Sequence, residues 1–144
     1  MPRIFLHYQQ QELTKFIEKS IALSQLYASR SYDFDSEFTT HLSGVERYFQ
    51  QVGSTSERIE VDRLKLYINT AQKGINPTTL EKVKINRREN IWIASYHCLS
   101  QSSQILQEAL DIIDQKLNEA RISIEQIMLT VLQNNMLDDN QLSA

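Results

Sequence analysis

From Thr78 to Ala144 the chain contains neither glycine nor proline. A stretch that long without the residues that most often punctuate secondary structure is confined to long regular elements. Within it Trp92, Tyr96, Leu99, Ser103, Leu106, Leu110, Ile113, Leu117, Ala120, Ile124, Ile127 and Val131 follow one another in alternating steps of four and three. That is a helical seam of the coiled-coil kind, sustained over more than five heptads. The spacing predicts one long helix over 78–136, with the polar, acidic tail 137–144 fraying.

The start of that helix reads from Pro77-Thr78-Thr79-Leu80-Glu81, where Thr78 and Glu81 form a capping-box pattern. Unbroken, the helix would span roughly 90 Å at 1.5 Å per residue, against on the order of 35–40 Å for a compact globule of this length. The molecule is therefore elongated unless the helix breaks. The best candidate for a break is Arg121-Ile122-Ser123, where Ser123 and Gln126 repeat the capping pattern with an Ile122–Ile127 staple. The heptad phase crosses that point undisturbed, which favours continuity. Ile91, Ile105, Ile112, Met128 and Leu132 flank the seam, and a stripe so widened suits packing against two or more helices.

Upstream, Pro2 fits the first position of a helix over 2–29, whose stripe is Leu6, Gln9, Leu13, Phe16, Ser20, Leu23 and Tyr27. The alternation Ile4, Leu6, Tyr8 also suits a short strand, but nothing in the chain offers it a partner. Arg30 to Asp33 reads as a connection, with Asp33 or Asp35 as N-cap. Phe38, Leu42, Val45, Phe49 and Val52 mark a second helix over 34–52, stopped by Gly53. Ser54 and Glu57 make another capping box ahead of a helix over 56–73, carrying Val61, Leu64, Ile68 and Ala71 and closed by Gly74. The expected fold class is all-α: a helical bundle or elongated helical hairpin, with three shorter helices packed on one long C-terminal coiled-coil-like helix in a single domain over 1–144.

Composition removes several classes. With 41% hydrophobic residues and a net charge of −3, the chain is neither disordered nor strongly basic. The lone Cys98 forms no internal disulfide, no apolar run is long enough for a bilayer, and the first residues lack the long apolar core of a secretory signal. These features lead to the expectation of a cytoplasmic protein without membrane contact.

Signals for chemistry are sparse. Lys82, Lys84, Arg87 and Arg88 fall within seven residues that hold no acid, while residues from Ile91 onward carry two basic and seven acidic groups. Bases in the first turns of a helix oppose its dipole, so this cluster is the candidate contact for an anion or nucleic acid. Four charges are nevertheless few for a nucleic-acid footprint, and a solvated face with Glu81 and Glu89 as counter-charges is the better reading. Trp92 and Tyr96 lie near the cluster and suit base stacking, although on a seam such residues are normally packing anchors. His97 and Cys98 are adjacent, so on a helix they point about 100° apart and do not converge on one ion. A Cys98–His41 pair has no local signature. Asp33, Asp35 and Glu37 alternate like a calcium loop, but Phe38 and Gly44 occupy the positions that need glycine and glutamate. No phosphate-loop, dinucleotide, zinc-protease or serine-nucleophile motif occurs, so no catalytic, metal or cofactor site and no small-molecule ligand is expected.

The reading that fits is a non-enzymatic interaction module: an adaptor, chaperone-like or assembly subunit. It would associate as a homo-oligomer or hetero-complex through Trp92, Tyr96, Leu99, Leu106, Leu110, Ile113, Leu117, Ile124, Ile127 and Val131. The alternative is an accessory subunit touching nucleic acid through Lys82, Lys84, Arg87 and Arg88. A third is a small helical-bundle enzyme, which would require His41, His97 and an acid to meet in one pocket.

Overall fold

The computed structural model describes residues 3–143, and the side chains of residues 5–136. It contains four helices: α1 Arg3–Ala28, α2 Phe34–Gln51, α3 Thr55–Gln72 and α4 Arg87–Ser143. Pro2 lies outside the described residues. No strand is present among them, and Ile4, Leu6 and Tyr8 belong to α1.

Three similar turns join the first helices. After α1, the amides of Arg30 and Ser31 reach back to the carbonyls of Tyr27 and Leu26. Gly53 and Ser54 do the same to Gln50 and Phe49, and Gly74 and Ile75 to Ala71 and Thr70. Each is a Schellman cap, which needs a left-handed residue at its corner. Gly53 and Gly74 supply it at φ 77° and 79°. Arg30 takes the same conformation at φ 51°, unfavourable for a residue with a Cβ. Its guanidinium lies 5.3 Å from the centre of the Trp92 ring and 3.7 Å from the Glu89 carboxylate, contacts that offset the strain. Asp33 and Ser54 occupy N-cap positions as the sequence suggests, but neither side chain makes a capping hydrogen bond.

The start of α4 departs from expectation. Thr78 and Glu81 do not cap it; residues 75–86 form a tight loop and the helix begins at Arg87. The Asn76 side-chain oxygen accepts the amides of Thr78 and Thr79 at 2.9 and 3.3 Å, an Asx turn that competes with a helical start. Ile75 and Lys82 then pair across the loop, with the Val83 amide donating to the Gly74 carbonyl at 2.8 Å. Leu80 and Asn86 adopt φ of 61° and 59°, which a continuous helix does not admit. At the other end the helix crosses 121–123 without interruption and runs past Met136 to Ser143, where a frayed tail was expected.

The bundle runs up and down: α4 packs on α1 and α3, and α2 closes the ring between them. The expected stripes are its core. Leu6, Leu13 and Leu23 of α1, Phe38, Leu42, Val45 and Phe49 of α2, and Val61, Leu64, Ile68 and Ala71 of α3 are all buried. Gln9 and Ser20 are buried with them. Phe34, His41 and Tyr48 join this core although the α2 stripe read from sequence omitted them. Between α2 and α3, the Lys65 ammonium sits 2.7 Å from the Glu46 carboxylate, and that hydrogen bond holds Glu46 below the usual carboxylate range.

Candidate interaction surface

Helix α4 has 57 residues and so measures about 85 Å, more than twice the length of any helix beside it. Its two halves meet different surroundings. At the first half, Trp92 stacks on Tyr27 with centroids 4.1 Å apart, and the Tyr27 hydroxyl donates to the Trp92 carbonyl. Phe34 meets the same indole edge-on. Further along, Leu99, Ile105, Leu106 and Ile113 are buried, while Leu110 and Leu117 pack partly buried against the same core. Tyr96 is the exception on the seam, 61% exposed.

Near Arg121 the covering helix runs out. Among the described side chains, the last of α1 to reach α4 are Gln10, whose amide donates to Asp114 at 2.8 Å, and His7, which shares a recess with Leu117 and Arg121. Beyond them the seam continues in phase but meets solvent, with Ile124 40%, Ile127 62% and Val131 52% exposed. Interface anchors predicted between Trp92 and Leu117, Tyr96 apart, are thus wholly or partly occupied by the chain's own core. The seam that remains available is the segment from Ile122 to Met136.

That overhang carries more apolar surface than the seam alone. At 100° per residue, Ile124, Ile127, Met128 and Val131 extend the packed face. Ile122, Leu129, Leu132 and Met136 form a second stripe beside it, and each of these is also exposed. Together they span about 220° of the helix circumference, with Glu125 and Asn135 among them, and Ser123, Gln126, Thr130, Gln133 and Asn134 line the rest. Sequence reading took in only part of the second stripe. The seven-residue recurrence of Ile122, Leu129 and Met136 is the signal that marks it.

The basic cluster divides differently from the sequence picture. Lys82 and Lys84 sit on the loop, and only Arg87 and Arg88 stand in the first turn of α4. Arg87 folds back, its Nε donating to the Val83 carbonyl at 3.2 Å and its guanidinium lying over Gly74. Arg88 shares a recess of about 560 Å³ with Arg30, Tyr32, Asp35 and Trp92. Trp92 already has Tyr27 stacked on its ring and the Arg30 guanidinium lying over it, and the acidic Asp35 shares the recess.

The reactive side chains have separate, local partners. Cys98 is fully buried, with its thiol 3.4 Å from the Leu64 carbonyl, and burial pushes its pKa up to about 12. Such a thiol supplies no thiolate near neutrality. His97 lies on the exposed side of α4 against the Tyr67 ring. His41 is enclosed between α1 and α2, and its Nε2 is 3.3 Å from the Ser20 hydroxyl oxygen. That hydroxyl donates to the Phe16 carbonyl, so the imidazole is the donor to Ser20. Burial, reinforced by Lys19, lowers His41 to about 4. Among the described residues no three His, Cys, Asp or Glu side chains cluster as metal ligands, and no helix is long and apolar enough to cross a membrane. Comparison of the chain with protein-family models, with curated proteins and with solved structures finds no match.

Proposed function

We propose that this protein is a non-enzymatic interaction module, an adaptor, chaperone-like or assembly subunit, whose four-helix bundle carries an exposed apolar rod. The observation that supports this reading is the overhang: eight apolar side chains from Ile122 to Met136, each two-fifths exposed or more, on a helix that outruns its own bundle. Monomeric proteins seldom expose a contiguous apolar surface above a few hundred Å². Burying such side chains against a partner contributes on the order of 1.5–3 kcal/mol each for full burial, before the costs of association. The bundle is the rigid mount that holds the rod, and the rod is the working surface.

A photo-reactive residue in place of Ile127 tests this in the native cell, with Gln107, on the exposed side of the packed half, as control. The expected result is efficient cross-linking to a polypeptide from position 127 and none from position 107. Absence of any cross-link from 127 overturns the reading. The double variant Ile127→Asp/Val131→Asp should abolish a wild-type interaction while leaving the unfolding midpoint of the isolated bundle in place.

A further inference from the structure

We infer that a cavity within the bundle, separate from the overhang, binds a small neutral molecule with an apolar body and one hydroxyl group. The cavity has a volume of about 210 Å³ and lies where all four helices meet, beside the turn between α2 and α3. Gln9 and Leu13 reach it from α1, Phe49 from α2 and Ile113 from α4, and all four are buried. It is therefore an inlet of the core and not a surface groove. A cavity of about 150 Å³ with apolar walls takes up a benzene ring, so one ring with a substituent suits this one. Spaces between bundle helices, walled by apolar side chains with a few polar groups, are a usual form of small-ligand site.

The polar group that calls for a ligand is Gln9. It stands on the buried stripe of α1 between Leu6 and Leu13, is itself only 4% exposed, and its Oε1 has no hydrogen-bond partner. A buried acceptor left unpaired is destabilising, and leucine at this stripe position would avoid that loss. A hydroxyl both donates and accepts, so it pairs with the amide whichever end of the side chain turns toward it. A water molecule needs about two to four polar partners, and the inner wall holds few polar atoms besides that amide. The charged lining residues, Glu57 and Lys116, are opposite in sign and keep their exposure to solvent. The buried wall thus has no charge to pair with an ionised ligand, and a neutral one is favoured.

Phenol and toluene, alike in size and differing in the hydroxyl, are the probes. Each is titrated into the full chain by calorimetry, with the side-chain amide resonances of Gln9 followed in isotopically labelled protein. Phenol should bind saturably and about tenfold more tightly than toluene, and it should shift the Gln9 resonances. Transfer from water alone would give the opposite order, because toluene is the more apolar of the two. Gln9→Leu should reverse the preference, and Ala109→Leu, which fills the cavity from α4, should weaken both probes. Toluene bound as tightly as phenol, or no saturable binding of either, the cavity then holding water only, overturns the proposal. So does a folded Gln9→Leu chain that still prefers phenol. Should that variant fail to fold, the ratio of the two affinities and the Gln9 resonances of the unsubstituted chain decide. None of these outcomes bears on the overhang, which its own cross-linking test decides.

Discussion

The stretches of α4 before and after Leu117 share one heptad phase and the same kind of residue, yet they have opposite fates. Leu106 is 0% exposed and Ile127 is 62% exposed, although both belong to the same seam. In the first stretch the seam is one wall of a core shared with α1, α2 and α3. In the second it faces water because the neighbouring helices have ended. A periodic apolar pattern therefore states that a face will be covered, and not by which chain. Core and overhang use one chemistry here, and only the reach of the covering helices separates them.

The contrast can be broken most forcefully in the packed stretch. Leu106→Ala should lower unfolding free energy by about 3–5 kcal/mol, read from urea titrations, since the cavity it leaves is closed on all sides. Ile113→Asp, which sequence alone would choose as an interface disruptor, should unfold the chain because Ile113 is buried in its own core. A loss of association with the fold intact would reverse that assignment.

Acid should separate the two regions next. His41 is neutral in the folded protein down to about pH 4 but takes up a proton near 6.5 once unfolded. Between those values the unfolded chain binds more protons, so the contribution of His41 is complete above pH 6.5. It is lost progressively as pH falls to about 4, amounting to roughly 3 kcal/mol. His41→Gln should flatten this part of the pH dependence of the urea midpoint. The overhang contains no histidine, so its association should change little across the same window down to about pH 5.

A smaller effect of opposite sign is expected at Gln9. Its buried Oε1 has no hydrogen-bond partner in the structure, and Gln9→Leu removes that unsatisfied oxygen at similar volume. Stability should rise by about 1 kcal/mol; a loss of that size would mean that the amide is satisfied in solution. Ile127→Ala is the smallest case. In the isolated chain, unfolding of the bundle should move by less than about 0.5 kcal/mol, the usual range for an exposed site. A larger shift would place Ile127 within the chain's own core.

Much of the fold is legible in the residues because helix formation and amphipathic phase are local. The stripe from Leu6 to Tyr27 lies on the buried side of α1, and Gly53 and Gly74 sit at the left-handed corners that follow α2 and α3. The continuity of α4 through Ser123 follows from an unbroken phase, which outweighs one local capping pattern. The same locality explains the error at Thr78. A capping box and an Asx turn draw on the same few polar side chains, and Asn76, with the pairing of Ile75 to Lys82, decided for the loop. The candidate site was legible only in part: the seam was visible, but the second stripe of Ile122, Leu129 and Met136 was not separated from it.

By itself, the sequence determined that the chain is helical, which face of each helix is apolar, and that one seam is longer than any partner within the chain. Only the tertiary structure decided which part of that seam is left over. That depends on where α1 docks, fixed by long-range contacts such as Tyr27 on Trp92 at one end and Gln10 with Asp114 at the other. A helix of 26 residues spans about 39 Å, so with Tyr27 at Trp92 and Gln10 at Asp114 the start of α1 lies near Arg121. Every apolar side chain beyond that point is left to solvent or to another chain.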